Sequence, residues 1–365
     1  MLIVIRTNLK IPIQFIHQKR SEPIISRQKT TNNFTMLLKK KEPPKEKLRL
    51  HPRNKHRERY NFKELINSCP ELAQFVSLNA YNDDSIDFFN PEAVKMLNKA
   101  LLKRYYDINK WDIPVNYLCP SVPGRADYIH YMADLLSSFN DGKIPKGSPI
   151  KCLDIGIGAS CIYPIIGNKE YGWSFTGSDI DAASIESASK IVEWNPVLKG
   201  KIEFRLQHNP NDIFYGIIQK DECFDLSICN PPFHASMAEA QFGTLRKLSN
   251  LKHEKITKPT LNFGGQSNEL WCKGGEGQFV RNMIHQSKQF SASCFWFSTL
   301  ISKQSHIASA YKALKKAEAI EVKTIPMGQG NKTSRIIAWT FLSREQQQKW
   351  VNTRWNKALM SDKKG

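Results

Sequence analysis

The stretch Ile150-Lys151-Cys152-Leu153-Asp154-Ile155-Gly156-Ile157-Gly158-Ala159 decides the fold. Its apolar part reads as a buried strand that runs into a Gly-x-Gly turn, and a second apolar run, Cys161-Ile162-Tyr163-Pro164-Ile165-Ile166, follows. Glycines at such a turn let the backbone come close to a ligand. The spacing is not G-x-G-x-x-G, because Ser160 and Cys161 occupy the positions after Ala159. A dinucleotide is thereby disfavoured relative to S-adenosylmethionine (SAM), which has no pyrophosphate to cradle. Asp154 is placed to meet the amino-acid end of that ligand, through water or through the loop. A Gly-rich turn alone is more often structural, so the following strands carry the decision.

The next apolar run, Trp173-Ser174-Phe175-Thr176-Gly177-Ser178, ends at Asp179, 21 residues after Gly158. A carboxylate about 20 residues past the glycines is where a ribose hydroxyl is commonly held; Asp181 is the competing candidate. A third strand, Phe224-Asp225-Leu226-Ser227-Ile228-Cys229, stops at Asn230-Pro231-Pro232-Phe233. Two prolines fix the backbone into a rigid corner at the strand's carboxyl end, where open α/β sheets bind ligands. There the Asn230 amide oxygen and the Pro231 carbonyl can accept hydrogen bonds from one exocyclic amine, with Phe233 flat on the ring that bears it. The arrangement suits methylation of an amino group on a planar base. The plain alternative is an ordinary Pro-Pro turn. Turn, acid and corner on three successive strands argue against it.

Length and charge set the frame. The chain has 365 residues, enough for a full α/β core with additions. Its net charge of +19 is uneven: residues 1–60 hold 16 Lys/Arg against 4 Asp/Glu. A basic arm on a mildly basic body points to a polyanionic partner, nucleic acid first, with a solvated tail as the alternative. Eight cysteines at 69, 119, 152, 161, 223, 229, 272 and 294 include no CxxC pair, so neither a zinc site nor a disulfide framework is expected. A reducing, cytoplasmic setting follows. No apolar run reaches the ~20 residues of a membrane span.

Four segments are expected: a basic extension over 1–50, a helical RNA-binding or accessory region over 51–140, a methyltransferase domain over 141–345, and a polar tail over 346–365 in which Trp350 and Trp355 can dock. Residues 1–35 fit an organelle presequence, a tail, or an over-extended start ahead of Met36. Candidate RNA-facing cations are Arg53, Lys55, Arg57 and Arg59 in a block just before the folded sequence, and Arg246 and Lys247 in the basic stretch 235–262, read as a substrate lid. Gly264-Gly265 and Gly274-Gly275 flank Trp271 and would let that segment hinge. Arg125, between a Pro-rich loop and a helix starting at Ala126, can hold a carboxylate by a bidentate contact. Candidate strands lie at 150–155, 173–178, 202–206, 224–229, 293–299, 319–324 and 335–342, alternating with helices as a parallel sheet requires.

Blocks spread over His51 to Phe341 carry a resemblance to a known family. They are His51-Pro52-Arg53-Asn54, Asn98-Lys99-Ala100-Leu101-Leu102, Trp111-Asp112-Ile113-Pro114, Cys119 through His130, Ala159 through Pro164, Asn230 through His234, Leu261 through Gly265, Glu269 through Cys272 with Gly274-Gly275-Glu276, and Ser334-Arg335 through Phe341. The chain resembles the bacterial 23S ribosomal RNA adenine-N6 methyltransferases of the RlmF type, and more distantly the eukaryotic N6-adenosine methyltransferases of U6 small nuclear RNA. The resemblance implies a class I methyltransferase fold, a Rossmann-like, mostly parallel seven-stranded sheet with a helical N-terminal addition. It implies SAM as donor and adenine in large-subunit ribosomal RNA as acceptor; apart from the resemblance, a monomer without metal or membrane is expected. Carried over by position, Arg125, Gly156, Gly158 and Asp179 match residues that hold SAM, and Asn230, Pro231, Pro232 and Phe233 match the catalytic motif. Asn211 falls near a position that contacts the SAM adenine. The position of Asp179 is often Glu in relatives, which keeps the carboxylate, and residues 1–50 have no bacterial counterpart.

Two rival functions come from the same residues. A protein-glutamine methyltransferase would use the same corner on an amide nitrogen, but the basic arm and lid argue against it. A non-catalytic RNA-binding factor would keep the fold without needing an intact Gly156, Gly158, Asp179 and Asn230 set. A nicotinamide oxidoreductase is disfavoured by the glycine spacing.

Overall fold

The seven expected apolar runs form the seven strands of one sheet in the computed structural model, which describes residues 46–236, 239, 267–329 and 332–355. A small antiparallel ribbon, β1 (Val76–Leu78) and β2 (Asp84–Ile86), precedes it. The large sheet comprises β3 (Lys151–Ile155), β4 (Ser174–Asp179), β5 (Ile202–Leu206), β6 (Phe224–Cys229), β7 (Cys294–Ile301), β8 (Glu321–Gln329) and β9 (Lys332–Thr340), in the order β5-β4-β3-β6-β7-β9-β8. Strands β3 to β7 pair in parallel, whereas β9 is antiparallel to both β7 and β8. Every residue of β6 and β7 is buried, as strands covered on both faces must be. The chain winds outward from β3 to β5 and then returns to β6 on the other side of β3. The gap between the carboxyl ends of β3 and β6 is therefore the topological switch point, where such sheets bind ligands.

Helices cover both faces. The longer ones are α1 (Phe62–Ser68), α2 (Pro91–Tyr106), α3 (Val122–Ser137), α4 (Ile162–Tyr171), α5 (Ala182–Trp194), α6 (Gly275–Ser287), α7 (Ile307–Ala317) and α8 (Arg344–Trp350), with a single helical turn at Ser267–Leu270. Asn61, Asn90, Asp181 and Ser343 cap their helices by accepting backbone N–H bonds, which the exposed first-turn donors need. One apolar cluster joins α2, α3, α4 and α5 to Cys152 and Leu226, and a second joins α6 and α7 to Leu153, Ile155 and Phe297. Adjacent β3 residues thus enter different layers, as the two-residue period of a strand demands. The helix expected from Ala126 begins instead at Val122, because Pro123 fits its first turn, and this puts Arg125 on the helix itself.

Both ends of the described chain are built into this body. His51, Asn54 and His56 are buried, and burial pushes the imidazoles of His56 and His130 down to about 3, so both are neutral. Leu50 is buried too, and Glu46 bridges to Glu58, so the fold begins ahead of residue 51. At the other end, α8 and the turn Val351–Trp355 bury Trp350 and Trp355, whose indole Nε1–H groups each donate to Asp225 Oδ1 at 2.7 Å. Lys151 N–H donates to Asp225 Oδ2 at 2.8 Å, so a fully buried carboxylate on β6 is satisfied largely by the C-terminal segment. All eight cysteines are unpaired. Among the described residues no helix is long and apolar enough to cross a membrane.

Candidate active site

Strand register brings the two sequence motifs together. Ile155 pairs with Cys229 across β3 and β6, so Gly156 and Asn230 are the first residues beyond two neighbouring strand ends. On the other side Ile155 pairs with Ser178, which places Asp179 at the same edge. Gly156 and Gly158 have φ of +74° and +63°, the left-handed region, and a Cβ on Gly156 would meet nothing within 4 Å. The turn is open on the side where a ligand would lie. The Gly156 and Ile157 amides donate to the Ser178 carbonyl, and the Gly158 amide donates to Asp179 Oδ2 at 2.9 Å. Asp179 Oδ1 accepts the Asp181 amide at 3.0 Å. Each Asp179 oxygen keeps acceptor capacity for a hydroxyl. The rival Asp181 is committed elsewhere: it accepts from Ala183 N, Ser184 N, Ser184 Oγ and Tyr117 Oη as the N-cap of α5. Burial would raise its carboxyl, but these bonds outweigh it and hold the group below the usual carboxylate range.

Asp154 is the anomaly of the site. It is fully buried, and neither carboxylate oxygen has a hydrogen-bond partner among the described residues. Burial, reinforced by the nearby Asp179 charge, pushes its carboxyl up to about 8. A buried acid left in this state is explained by a cationic ligand group that would complete it. The ammonium of SAM is such a group. The opposite charge comes from α3: Arg125 Nη1 donates to Asn230 Oδ1 at 3.4 Å, and its guanidinium lies 5.5 Å from the centre of the Tyr163 ring. A long bond of this kind leaves the guanidinium able to reach a ligand carboxylate. Asp154, Arg125, the glycine turn and Asp179 thus match the ammonium, carboxylate, backbone and ribose needs of SAM.

The Asn-Pro-Pro-Phe corner is buttressed from below. Tyr128 Oη donates to the Cys229 carbonyl at 3.4 Å and lies 3.0 Å from Ser298 Oγ, which donates to the Ser227 carbonyl at 2.6 Å. Pro231 is buried, while Asn230, Pro232 and Phe233 are partly exposed, with Phe233 packed against the core. After the corner, His234 pairs with the segment 270–272 through its amide to Leu270 O and its carbonyl from Cys272 N. Gly275, φ +65°, packs its backbone against Ala235: an added Cβ would sit 3.2 Å from the Ala235 nitrogen. This glycine marks a close approach where a hinge was expected.

Other expected residues fare differently. Asn211 lies in the loop after β5, exposed, and its hydrogen bonds go to Asn209 and Gln286. The cations expected to face RNA are tied within the chain: Lys55 to Glu170, Arg57 to Glu46 and Arg59 to Asp83. Arg53 departs furthest, since its guanidinium donates to Asp134, to the His130 carbonyl and to Tyr171 Oη. Arg246, Lys247, Gly264-Gly265 and the proposed lid, apart from Ala235, Ser236 and Glu239, lie outside the described residues, as do residues 1–45 and 356–365. Sequence reading missed Tyr117, whose hydroxyl secures Asp181, and Glu269. Glu269 Oε2 accepts Leu118 N at 2.9 Å, and its Oε1 lies 3.8 Å from where a Gly158 Cβ would be. Only the family-like block around Glu269 hinted at that residue, and nothing in the sequence pointed to Tyr117.

The chain is similar to known proteins along most of its length. Residues 44–343 match the model of a family described as RNA methyltransferase. The chain is 65% identical over 316 residues to the ribosomal RNA large subunit methyltransferase F of Cytophaga hutchinsonii, covering 87% of this chain and 98% of the relative. It is 56% identical to that of Serratia proteamaculans, over 87% of this chain and 95% of the relative. Among solved structures, the hMettl16 catalytic domain in complex with a MAT2A 3'UTR hairpin superposes with a TM-score of 0.69 at 29% identity, covering 81% of this chain and 96% of that one. The N-terminal domain of human METTL16 in complex with SAH gives 0.64 at 27% identity, over 80% and 99%.

Proposed function

Since the chain belongs to this RNA methyltransferase family, we propose that it methylates the N6 amine of one adenine in large-subunit ribosomal RNA, with SAM as donor. The observation that carries the reading is the register Ile155 to Cys229, which sets the ligand-binding turn of β3 beside the Asn-Pro-Pro-Phe corner of β6. The relatives' names, ribosomal RNA large subunit methyltransferase F, support the class of RNA. The corner chemistry supplies the amine.

When bound, SAM supplies an electrophilic methyl on a sulfonium whose charge is lost on transfer. Asp154 and Arg125 would hold its amino-acid end, and Asp179 its ribose. The adenine amine is a weak nucleophile because its lone pair is delocalised into the ring. Asn230 Oδ1 and the Pro231 carbonyl, accepting its two N–H bonds, favour a pyramidal nitrogen with the lone pair freed. Phe233 stacks on the base, a contact worth ~1–3 kcal/mol. The base must be unpaired or flipped out to reach this corner. The surplus proton leaves after transfer, so no strong base is needed, and positioning supplies most of the acceleration. Arg125 already donates to Asn230 Oδ1, so the arriving amine takes the remaining lone pair or displaces a long bond.

The test is mass spectrometry of N6-methyladenosine in 23S rRNA taken from cells lacking the activity, after incubation with SAM and the protein. One new mark at a single adenine is expected, and none with Asn230→Ala, which should still bind SAM. Wild-type turnover by Asn230→Ala would remove the role assigned to that side chain, and methyl incorporation into protein alone would replace the substrate.

A further inference from the structure

The block His51-Pro52-Arg53-Asn54 has a function that its charge did not suggest. Every hydrogen-bonding side chain in it engages α3, the helix that carries Arg125. Asn54 Nδ2 donates to the Pro123 carbonyl at 2.8 Å and to Asp127 Oδ1 at 2.5 Å. The His51 amide donates to the same Asp127 oxygen at 2.9 Å. His51 Nδ1 accepts the Arg53 amide at 3.1 Å, which leaves Nε2–H to donate to Asp134 at 2.8 Å. Arg53 reaches Asp134 and the His130 carbonyl further along the helix. Asn54, Asp127 and His51 are all buried. Asn54 donates to the start of α3 and so ties that helix to the N-terminal block without capping its first-turn amides.

Arg125 lies between the two points that Asn54 grips, Pro123 and Asp127. Its own side chain runs to Asn230 Oδ1. We propose that Asn54, acting with Asp127, is a positioning residue for Arg125 and through it for Asn230, so that the N-terminal block sets the geometry of the catalytic corner. One amide group holding positions 123 and 127 together fixes the direction in which the side chain at 125 leaves the helix. A displacement of about 1 Å at such a remove can cost a hundredfold in rate. Asn54 Nδ2 donates, Asp127 accepts twice, and Asn54 Oδ1 accepts the His56 amide at 2.9 Å, so the side-chain amide is fixed in one orientation.

This role for Asn54 rests on the reading of Arg125 as a SAM-site residue, and a double-mutant cycle separates the two. The measured quantities are kcat and KM for SAM in transfer to unmethylated 23S rRNA, SAM affinity by calorimetry, and the thermal midpoint. Asn54→Ala should raise the SAM KM and lower kcat/KM about tenfold in the wild-type background, and should add nothing to Arg125→Ala. Asp127→Asn, which keeps the acceptor for both donors, should stay near wild type, while Asp127→Ala should repeat the loss. Asn54→Ser, which keeps a polar group but not the two-point grip, serves if the alanine variant does not fold. An equal loss from Asn54→Ala with and without Arg125, or a loss that tracks the thermal midpoint alone, overturns the proposal. An Arg125→Ala protein with unchanged SAM affinity and turnover would instead overturn the reading beneath it.

Discussion

At the scale of single residues, the site is organised around charges that the protein leaves incomplete. Asp154 is buried without a hydrogen-bond partner among the described residues and its carboxyl is pushed up to about 8, so near neutrality it carries a proton. A ligand ammonium binds the ionised form, so below that value binding must expel the proton, and affinity weakens as pH falls. SAM affinity is expected to strengthen from about pH 6 towards about pH 8, where the ligand's own amine (~7.7–8.0) begins to lose its proton and the gain ends, with proton release in calorimetry at neutral pH in several buffers. Asp154→Asn should bind more weakly and lose the pH dependence; an unchanged profile in that variant would assign the titration elsewhere. The sequence made Asp154, Asp179 and Asn230 legible because each stands at the end of a readable apolar strand. It could not separate Asp179 from Asp181, since that choice depends on which carboxylate caps α5. Nor could it reveal the role of Asn54, whose partners lie about 70 residues away in the chain. Arg53 and Lys55 were expected to face RNA, and charge alone does not say which carboxylates fold back onto them.

At the scale of elements, strands buried on both faces were easy to read and edge elements were not. β8 was expected over 319–324 but runs from Glu321 to Gln329, through Pro326 and Gly328. Proline reads as a strand breaker, yet β8 is the sheet's edge, where a missing N–H can face outward at little cost. The ribbon of β1 and β2 was too short to register as a period. Residues 346–355 read as a polar tail because Gln347 and Gln348 interrupt the apolar pattern, whereas the two tryptophans carry the docking. Trp350 packs on Phe295 and bonds Asp225, so its removal takes away buried area and part of the solvation of a buried carboxylate. Trp350→Ala should therefore destabilise the protein by about 3–5 kcal/mol, read from urea unfolding. A midpoint within error of wild type would mean that α8 contributes little to the fold.

At the scale of the whole molecule, the basic excess divides between residues 1–45 and the described body. Residues 1–45 hold 10 Lys/Arg against 2 Asp/Glu, while the cations of 53–59 are drawn into ion pairs of the body. Removing residues 1–45 should leave SAM affinity unchanged and flatten the salt dependence of RNA affinity, by about 0.7–0.9 in the logarithmic slope for each phosphate no longer neutralised. An unchanged slope would place the RNA contacts entirely on the rest of the chain. A deletion carried further, to residue 59, would instead remove the grip on α3 and confound the result. The order of synthesis gives the sheet topology a last meaning. β9 lies between β7 and β8 although it is made after both, and Asp225 acquires its tryptophan donors only from residues 350 and 355. A chain interrupted before residue 332 would leave β7, apolar and buried along its whole length in the finished protein, as a bare edge open to other chains. The glycine turn and the Asn-Pro-Pro-Phe corner are already made at that point, so an unfinished product would be lost to aggregation rather than persist as a weakened protein.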